Sequence, residues 1–314
     1  MTLEAQLTRL LKGVRPRGRD LVVHGRRASV EQTVAWLTEL LYQRHMVVSD
    51  GTHPPDFAGD PQLIAALQRA AGGRRYYEPG WKASWVREGG VAVTNGVVQL
   101  WVARQPGALK PARPRRGAKV ELSLPCARNG WLPGYFGLVS AAGGNRAPHP
   151  VKVYLNLTVA LAPAWVKFLL HDPRLRRLRF EAKLFNDPLS YGRRDPAVMY
   201  LEPDSALEVL SRVRRFVRGH RRQVRAQQVA FTLPLEPGFS VGASLEGERR
   251  LRQSYGEYRC RLVARAAIRA LRDGAPRQKW SGYFARAFAD AGGDFVRPWL
   301  GAARIDWARL STSA

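Results

Sequence analysis

Residues 151–157, Val-Lys-Val-Tyr-Leu-Asn-Leu, alternate apolar and polar side chains without a break. A two-residue period fits a β-strand and not a helix, because successive side chains on a strand point to opposite faces of its sheet. Val151, Val153, Leu155 and Leu157 therefore share one face, and Lys152, Tyr154 and Asn156 the other. A second strand is expected at 178–184, overlapping Arg179–Asp187 (RFEAKLFND), and it supplies Lys183. Two lysines and a tyrosine on rigid strands, with arginines near them, can bind an anion and move a proton. The chain is thereby constrained to a sheet with one apolar and one polar face, and its chemistry points to a phosphate ester.

The N-terminal 75 residues read as helical. Leu3, Leu7, Leu10 and Leu11 recur at helix spacing; Ser29 with Gln32 resembles a capping box opening a helix to about Arg44; Pro61–Ala71 ends at Gly72-Gly73. From Arg75 to about Leu124 the pattern turns to strands, with Asn95-Gly96 as a hairpin signal. Residues 104–118 are basic and proline-rich, which suggests an exposed linker or loop. Beyond the glycine-rich 129–150, strands are expected at 151–157, 178–184, 197–202 and about 228–233. Helices are expected at about 163–171, 204–218, 257–272 and 280–291, with a long loop before the third of these. The class is α+β: a helical N-terminal region, 1–74, followed by a mixed-sheet domain, 75–314.

The chain has 51 Lys+Arg against 25 Asp+Glu, a formal charge of +26. Such charge implies an acidic partner and does not select among peptide, nucleic acid and membrane. No helix-turn-helix, zinc-finger or RNP-type pattern accompanies it, so specific nucleic-acid binding is not expected. No apolar run reaches 18 residues, and the two cysteines, Cys126 and Cys260, suggest no disulfide framework. A cytoplasmic protein without membrane attachment is the expectation. The six histidines show no metal-ligand spacing, and no P-loop, GxGxxG, GxSxG or HExxH motif occurs, so no metal or cofactor is expected.

Six stretches in order, PGYFGL, VYLNL, FEAKLFNDP, RDPAVMYLEP, FTLPLEPGFSVG and SYGEYRCRLV, resemble the HopA-type effector family over a core of about 130–275. Relatives of that family in bacteria that make modified peptides are understood as phosphoserine/phosphothreonine lyases working beside a separate kinase. The resemblance implies a lyase-like domain that acts on a phosphorylated precursor peptide in lanthipeptide or thioamitide maturation. A phosphotransferase-like kinase, and a cyclase, would be its partners. A fainter similarity to the OspF/SpvC-type phosphothreonine lyases lies in Lys152-x-Tyr154 followed by Lys183. Those enzymes carry histidine where this chain has Tyr154, with His149 as an alternative acid.

Elimination of phosphate needs a neutral base for the Cα proton, cations for the phosphate and a proton for the departing group. Lys152 is expected as base, Lys183 or Asn156 as stabiliser of the developing enolate, and Tyr154 as acid. Arg193, Arg194 and Arg259 are expected to fork the phosphate, the last because an arginine at a helix start opposes the dipole and asks for an anion. Tyr191, just before the arginine pair, is a supporting residue. The competing expectation is a non-catalytic HopA-like basic module that grips an acidic leader peptide or the kinase.

Overall fold

The computed structural model describes residues 7, 9–47 and 58–312. Leu3 of the expected first helix lies outside them. In chain order the elements begin with β1 (Val14–Arg17), β2 (Asp20–Val23), β3 (Arg26–Ala28), α1 (Val30–Tyr42) and α2 (Pro61–Ala71). There follow β4 (Arg75–Arg87), β5 (Gly90–Thr94), β6 (Gln99–Ala103), β7 (Leu109–Lys110), β8 (Lys119–Pro125), β9 (Ala127–Leu132), β10 (Tyr135–Val139) and β11 (Val151–Leu155). The remainder is α3 (Ala162–His171), β12 (Phe180–Phe185), β13 (Ala197–Leu201), α4 (Pro203–Gly219), β14 (Leu233–Glu236) and β15 (Phe239–Ala243), then α5 (Glu246–Leu251), α6 (Tyr255–Arg272), α7 (Trp280–Asp290) and α8 (Trp307–Thr312).

The α+β class holds, and four details differ from the sequence reading. Every strand pairing is antiparallel, where a mixed sheet was expected. Residues 14–28 form a three-stranded meander inside the expected helical region, because Gly13, Gly18 and Gly25 take positive φ and reverse the chain too often for a helix. The strand expected at about 228–233 starts only at Leu233, because Phe231 has φ 65° and turns the chain; β14, β15 and helix α5 then run on through the supposed loop. Within the basic 104–118 loop, Leu109 and Lys110 pair with β8 as a short edge strand.

Local signals account for the helices that position the site. Ser29 Oγ accepts from Gln32 N–H at 3.2 Å while Gln32 Oε1 accepts from Ser29 N–H at 2.9 Å, a complete capping box opening α1. Ser254 and Glu257 repeat that arrangement at the start of α6.

The central sheet runs β14-β15-β11-β13-β12-β10-β9. Its apolar face carries Val153, Leu155, Ala182, Leu184, Phe136, Leu138, Met199 and Val241, packed with Leu67, Trp165, Leu169, Val209 and Val213 from α2, α3 and α4. Each such side chain fully buried contributes roughly 1.5–3 kcal/mol. A second core joins α1, α6 and α7 with Leu21 of the meander. The five-stranded sheet, β6-β5-β4-β8-β7, has a small core of its own around Trp81, Val93 and Leu122.

Candidate active site

The opposite face of the central sheet carries the polar chemistry. Lys152 pairs across with Gly242 and Tyr200, and Tyr200 with Glu181; one row along, Tyr154 pairs with Ser240 and Val198, and Val198 with Lys183. The two lysines therefore share a face, two strand spacings or about 10 Å apart along the hydrogen-bonding direction. Helix α6 lies over this face, and a Cβ at Gly242 would collide with the Tyr255 ring, so glycine is required where that ring sits beside Lys152.

Two clusters result. In the first, Lys152 Nζ lies 2.6 Å from Glu248 Oε2, and Glu248 Oε1 accepts from Arg259 Nη1 at 2.5 Å. Arg259 is fully buried. It donates further to Pro298 O at 2.8 Å and Ala243 O at 2.9 Å, and stacks 3.5 Å from the Tyr255 ring centroid. Burial pushes the Glu248 carboxyl up, and Lys152 and Arg259 together overcome this and hold it below its ordinary value. Burial, reinforced by Arg259 and opposed by Glu248, pulls the Lys152 ammonium down.

The second cluster surrounds Lys183, whose Nζ lies 4.1 Å from the Tyr135 ring centroid. Burial brings its pKa down to about 8; Asp195 opposes the fall, and Lys152 and Arg193 add to it. Arg193 forks Asp195, Nε to Oδ1 at 2.8 Å and Nη2 to Oδ2 at 3.1 Å, and its Nη2 reaches the Tyr42 hydroxyl at 3.5 Å. Arg194 Nη1 reaches the His45 carbonyl at 3.5 Å. Burial, then Arg194 and Arg44, keep the His45 imidazole below its ordinary pKa. The end of α1 thus forms one wall.

Several expected roles meet physical obstacles. Arg259 is not at a helix start: α6 begins at Tyr255, and its guanidinium is turned inward as a strut for Glu248. Tyr154 is buried against Tyr255, ring centroids 5.7 Å apart, and burial followed by Tyr255 raises its pKa well above the ordinary phenol value, which opposes proton release. Asn156 donates to Gln227 O at 2.9 Å and pins the loop after α4. Tyr191 is buried and donates to Phe185 O at 2.8 Å. His149 lies in the loop before β11, with Nδ1 buried and without a hydrogen-bond partner. Of the expected residues, Lys152, Tyr154 and Lys183 stand on the polar face, and Arg193 reaches over the Phe185 ring from the loop between β12 and β13.

Sequence reasoning missed Glu248, Asp195, Tyr42, Tyr135 and Tyr200. Asp195 and Tyr200 stand in the RDPAVMYLEP stretch and Tyr135 in PGYFGL, so the stretches that carry the family resemblance were the available signal. Glu248 lies 96 residues from Lys152 and carried no local signal. Among the described residues no three His, Cys, Asp or Glu side chains are grouped to hold a metal ion, and no helix is long and apolar enough to cross a membrane.

Fold and site together define a strongly basic α+β protein with a two-lysine centre on the polar face of an antiparallel sheet. The pattern of the HopA1 effector protein family matches residues 126–300, more than half of the chain, and the chain belongs to that family. Two solved structures are similar: an effector protein from Pseudomonas syringae pv. tomato strain DC3000, at 10% identity and a TM-score of 0.48, and one from Pseudomonas syringae pv. syringae strain 61, at 13% and 0.46. In each comparison 87% of this chain aligns with 97% of the other. No curated protein sequence matches the chain.

Proposed function

We propose that the protein is a phosphoserine/phosphothreonine lyase acting on a ribosomal precursor peptide that a separate kinase has phosphorylated, within lanthipeptide or thioamitide maturation. The observation that carries this reading is Lys183: a half-buried lysine with a pKa of about 8, on one sheet face with Lys152 and close to Arg193 of the neighbouring loop. Neutral Lys183 takes the Cα proton; the C–H electron pair forms the new double bond, and the Cβ–O bond breaks with its pair leaving on phosphate. Lys152, anchored by Glu248, stabilises the enolate from across the sheet, so the two lysines exchange the roles their order in the sequence suggested. Arg193 and Arg194 supply cationic charge for the phosphate. Tyr42, beside Arg193 and less enclosed than Tyr154, takes over as the hydroxyl that protonates the departing group; burial and Asp195 raise its pKa too, while Arg193 pulls the other way.

The test is to incubate the protein with kinase-treated precursor peptide and follow its mass. Loss of one phosphoric acid per site is expected, abolished in Lys183→Ala and strongly slowed in Lys152→Ala. The rate should climb with pH through about 8 and level off above it, as Lys183 loses its proton. An unchanged phosphopeptide would sink the lyase.

One observation favours a second reading. Arg193 is already forked on Asp195, and Arg259 is enclosed by protein acceptors, as in a centre that is structural. The alternative is a non-catalytic basic module holding an acidic leader peptide or the partner kinase. Tight binding of the phosphopeptide without mass loss would support it.

A further inference from the structure

Strand β6 is built unlike every other sheet edge among the described residues. Natural sheets blunt their edges with proline, charge, bulges or brevity, because an open edge invites another strand. Here β1 carries Pro16 between two arginines, β3 carries Arg26 and Arg27, and β7 is two residues long. Strand β14 contains Pro234 and a register break, and the β9–β10 pairing is broken between Tyr135 and Phe136. Strand β6, Gln-Leu-Trp-Val-Ala, has no charge, no proline and an unbroken register with β5.

The phase of its hydrogen bonds follows from the two ends of the ladder. Asn95 N–H donates to Val98 O at 3.2 Å and Arg104 N–H to Gly89 O at 3.1 Å. In an antiparallel pair bonded and non-bonded positions alternate, so residues 98, 100, 102 and 104 turn their backbone groups to β5. Gln99, Trp101 and Ala103 therefore point N–H and C=O to the open side. Both faces beside that edge are apolar: Trp101, 55% exposed, and Trp85, 52% exposed, flank Ala92 on one face, Leu100 lies on the other, and Val97 at the hairpin tip is 91% exposed. The surroundings are cationic. Between Lys82 and Lys119 the single acidic residue is Glu88, against eight lysines and arginines, and Arg116 stacks 5.0 Å from the Trp85 ring centroid.

We propose that β6 is a docking edge, to which an extended, acidic segment of another polypeptide adds as a sixth strand. Backbone groups of Gln99, Trp101 and Ala103 would supply the ladder, Trp101 and Leu100 the side-chain contacts, and the surrounding cations the preference for acid. The same charge opposes a second copy of this chain, whose edge would bring eight more cations against these. The surface lies outside the family-matched segment 126–300, and the inference does not depend on the elimination chemistry.

The test pans a displayed library of random peptides, about 12 residues or twice a typical strand, against the intact protein at physiological salt. Enriched peptides should be acidic with alternating apolar residues, and on binding the amides of Gln99, Trp101 and Ala103 should exchange about tenfold more slowly or better. Ala103→Pro removes an outward donor and leaves the β5 ladder intact, so affinity should fall about tenfold or more with the thermal midpoint unchanged. Should that variant prove unstable, Trp101→Thr and Arg87→Glu must each weaken binding in its place. Failure to enrich any peptide, binding indifferent to these substitutions, or dimerisation of the chain through β6 would overturn the proposal.

Discussion

The seven-stranded and five-stranded sheets are both antiparallel, and they differ in what covers them. On the first, α2, α3 and α4 lie on the apolar face, and α6 with the end of α1 lies on the polar face. On the second, Trp81, Val93 and Leu122 close a core on one side, while Trp85 and Trp101 face outward. Burying a polar face obliges a charge on it to find a partner or to give up its proton more readily: Lys152, Glu248 and Arg259 form a continuous chain of contacts, while burial brings the Lys183 pKa down. The bare face carries no such obligation, and its side chains are free to serve a partner instead of the fold.

Glu248→Ala should give the largest effect, because it strands two buried cations. A loss of about 3–5 kcal/mol is expected in urea denaturation, and a loss under about 1 kcal/mol would mean that water reaches the pair. Leu184→Ala, on the fully buried apolar face of β12, should cost about 2–5 kcal/mol by the same measurement.

Lys183 sharpens the comparison through pH. Below about 8 it is charged in both states, and the native protein bears the full penalty of burying that charge. As pH rises past 8 the native state releases the proton first, while the unfolded chain holds it to about 10.4; the unfolded state then binds more protons, and stability climbs with pH across that window. Lys183→Met should accordingly raise the thermal midpoint at pH 7, with the gain shrinking towards pH 10. A pH-independent difference would show that burial of the charge is not its cause.

Trp101→Thr should have the smallest effect, about 1 kcal/mol or less, since more than half of the side chain is already exposed and what it packs on is Gly90. A large destabilisation would show that the five-stranded sheet depends on its outer face after all.

What the sequence made legible follows the same divide. The alternation in 151–157 correctly placed Lys152 and Tyr154 on one face, and the spacing of Glu181 and Lys183 fits that face too, because a two-residue period survives in a strand whatever covers it. The partners were not legible. Glu248 meets Lys152 through a crossing of α5 over the sheet, and α5 itself lay in a stretch whose Pro234, Gly238 and Gly242 hid two strands. The small sheet at 14–28 was missed because its strands are three or four residues long, too short to display a period. Arg259 looked like a phosphate ligand because sequence gives charge and position, and burial is a property of the fold.

The contact between Tyr42 and Arg193 spans 151 residues, and that between Lys152 and Glu248 spans 96. During synthesis α1 leaves the ribosome long before α6, the helix it packs against, so its apolar face must wait uncovered for more than half of the chain. The two-lysine centre is among the last parts of the molecule to exist. A nascent chain stalled before residue 248 would carry both lysines but neither the carboxylate that anchors Lys152 nor the helix whose Tyr255 ring lies beside it, and its polar face would stay uncovered however well its central strands had formed.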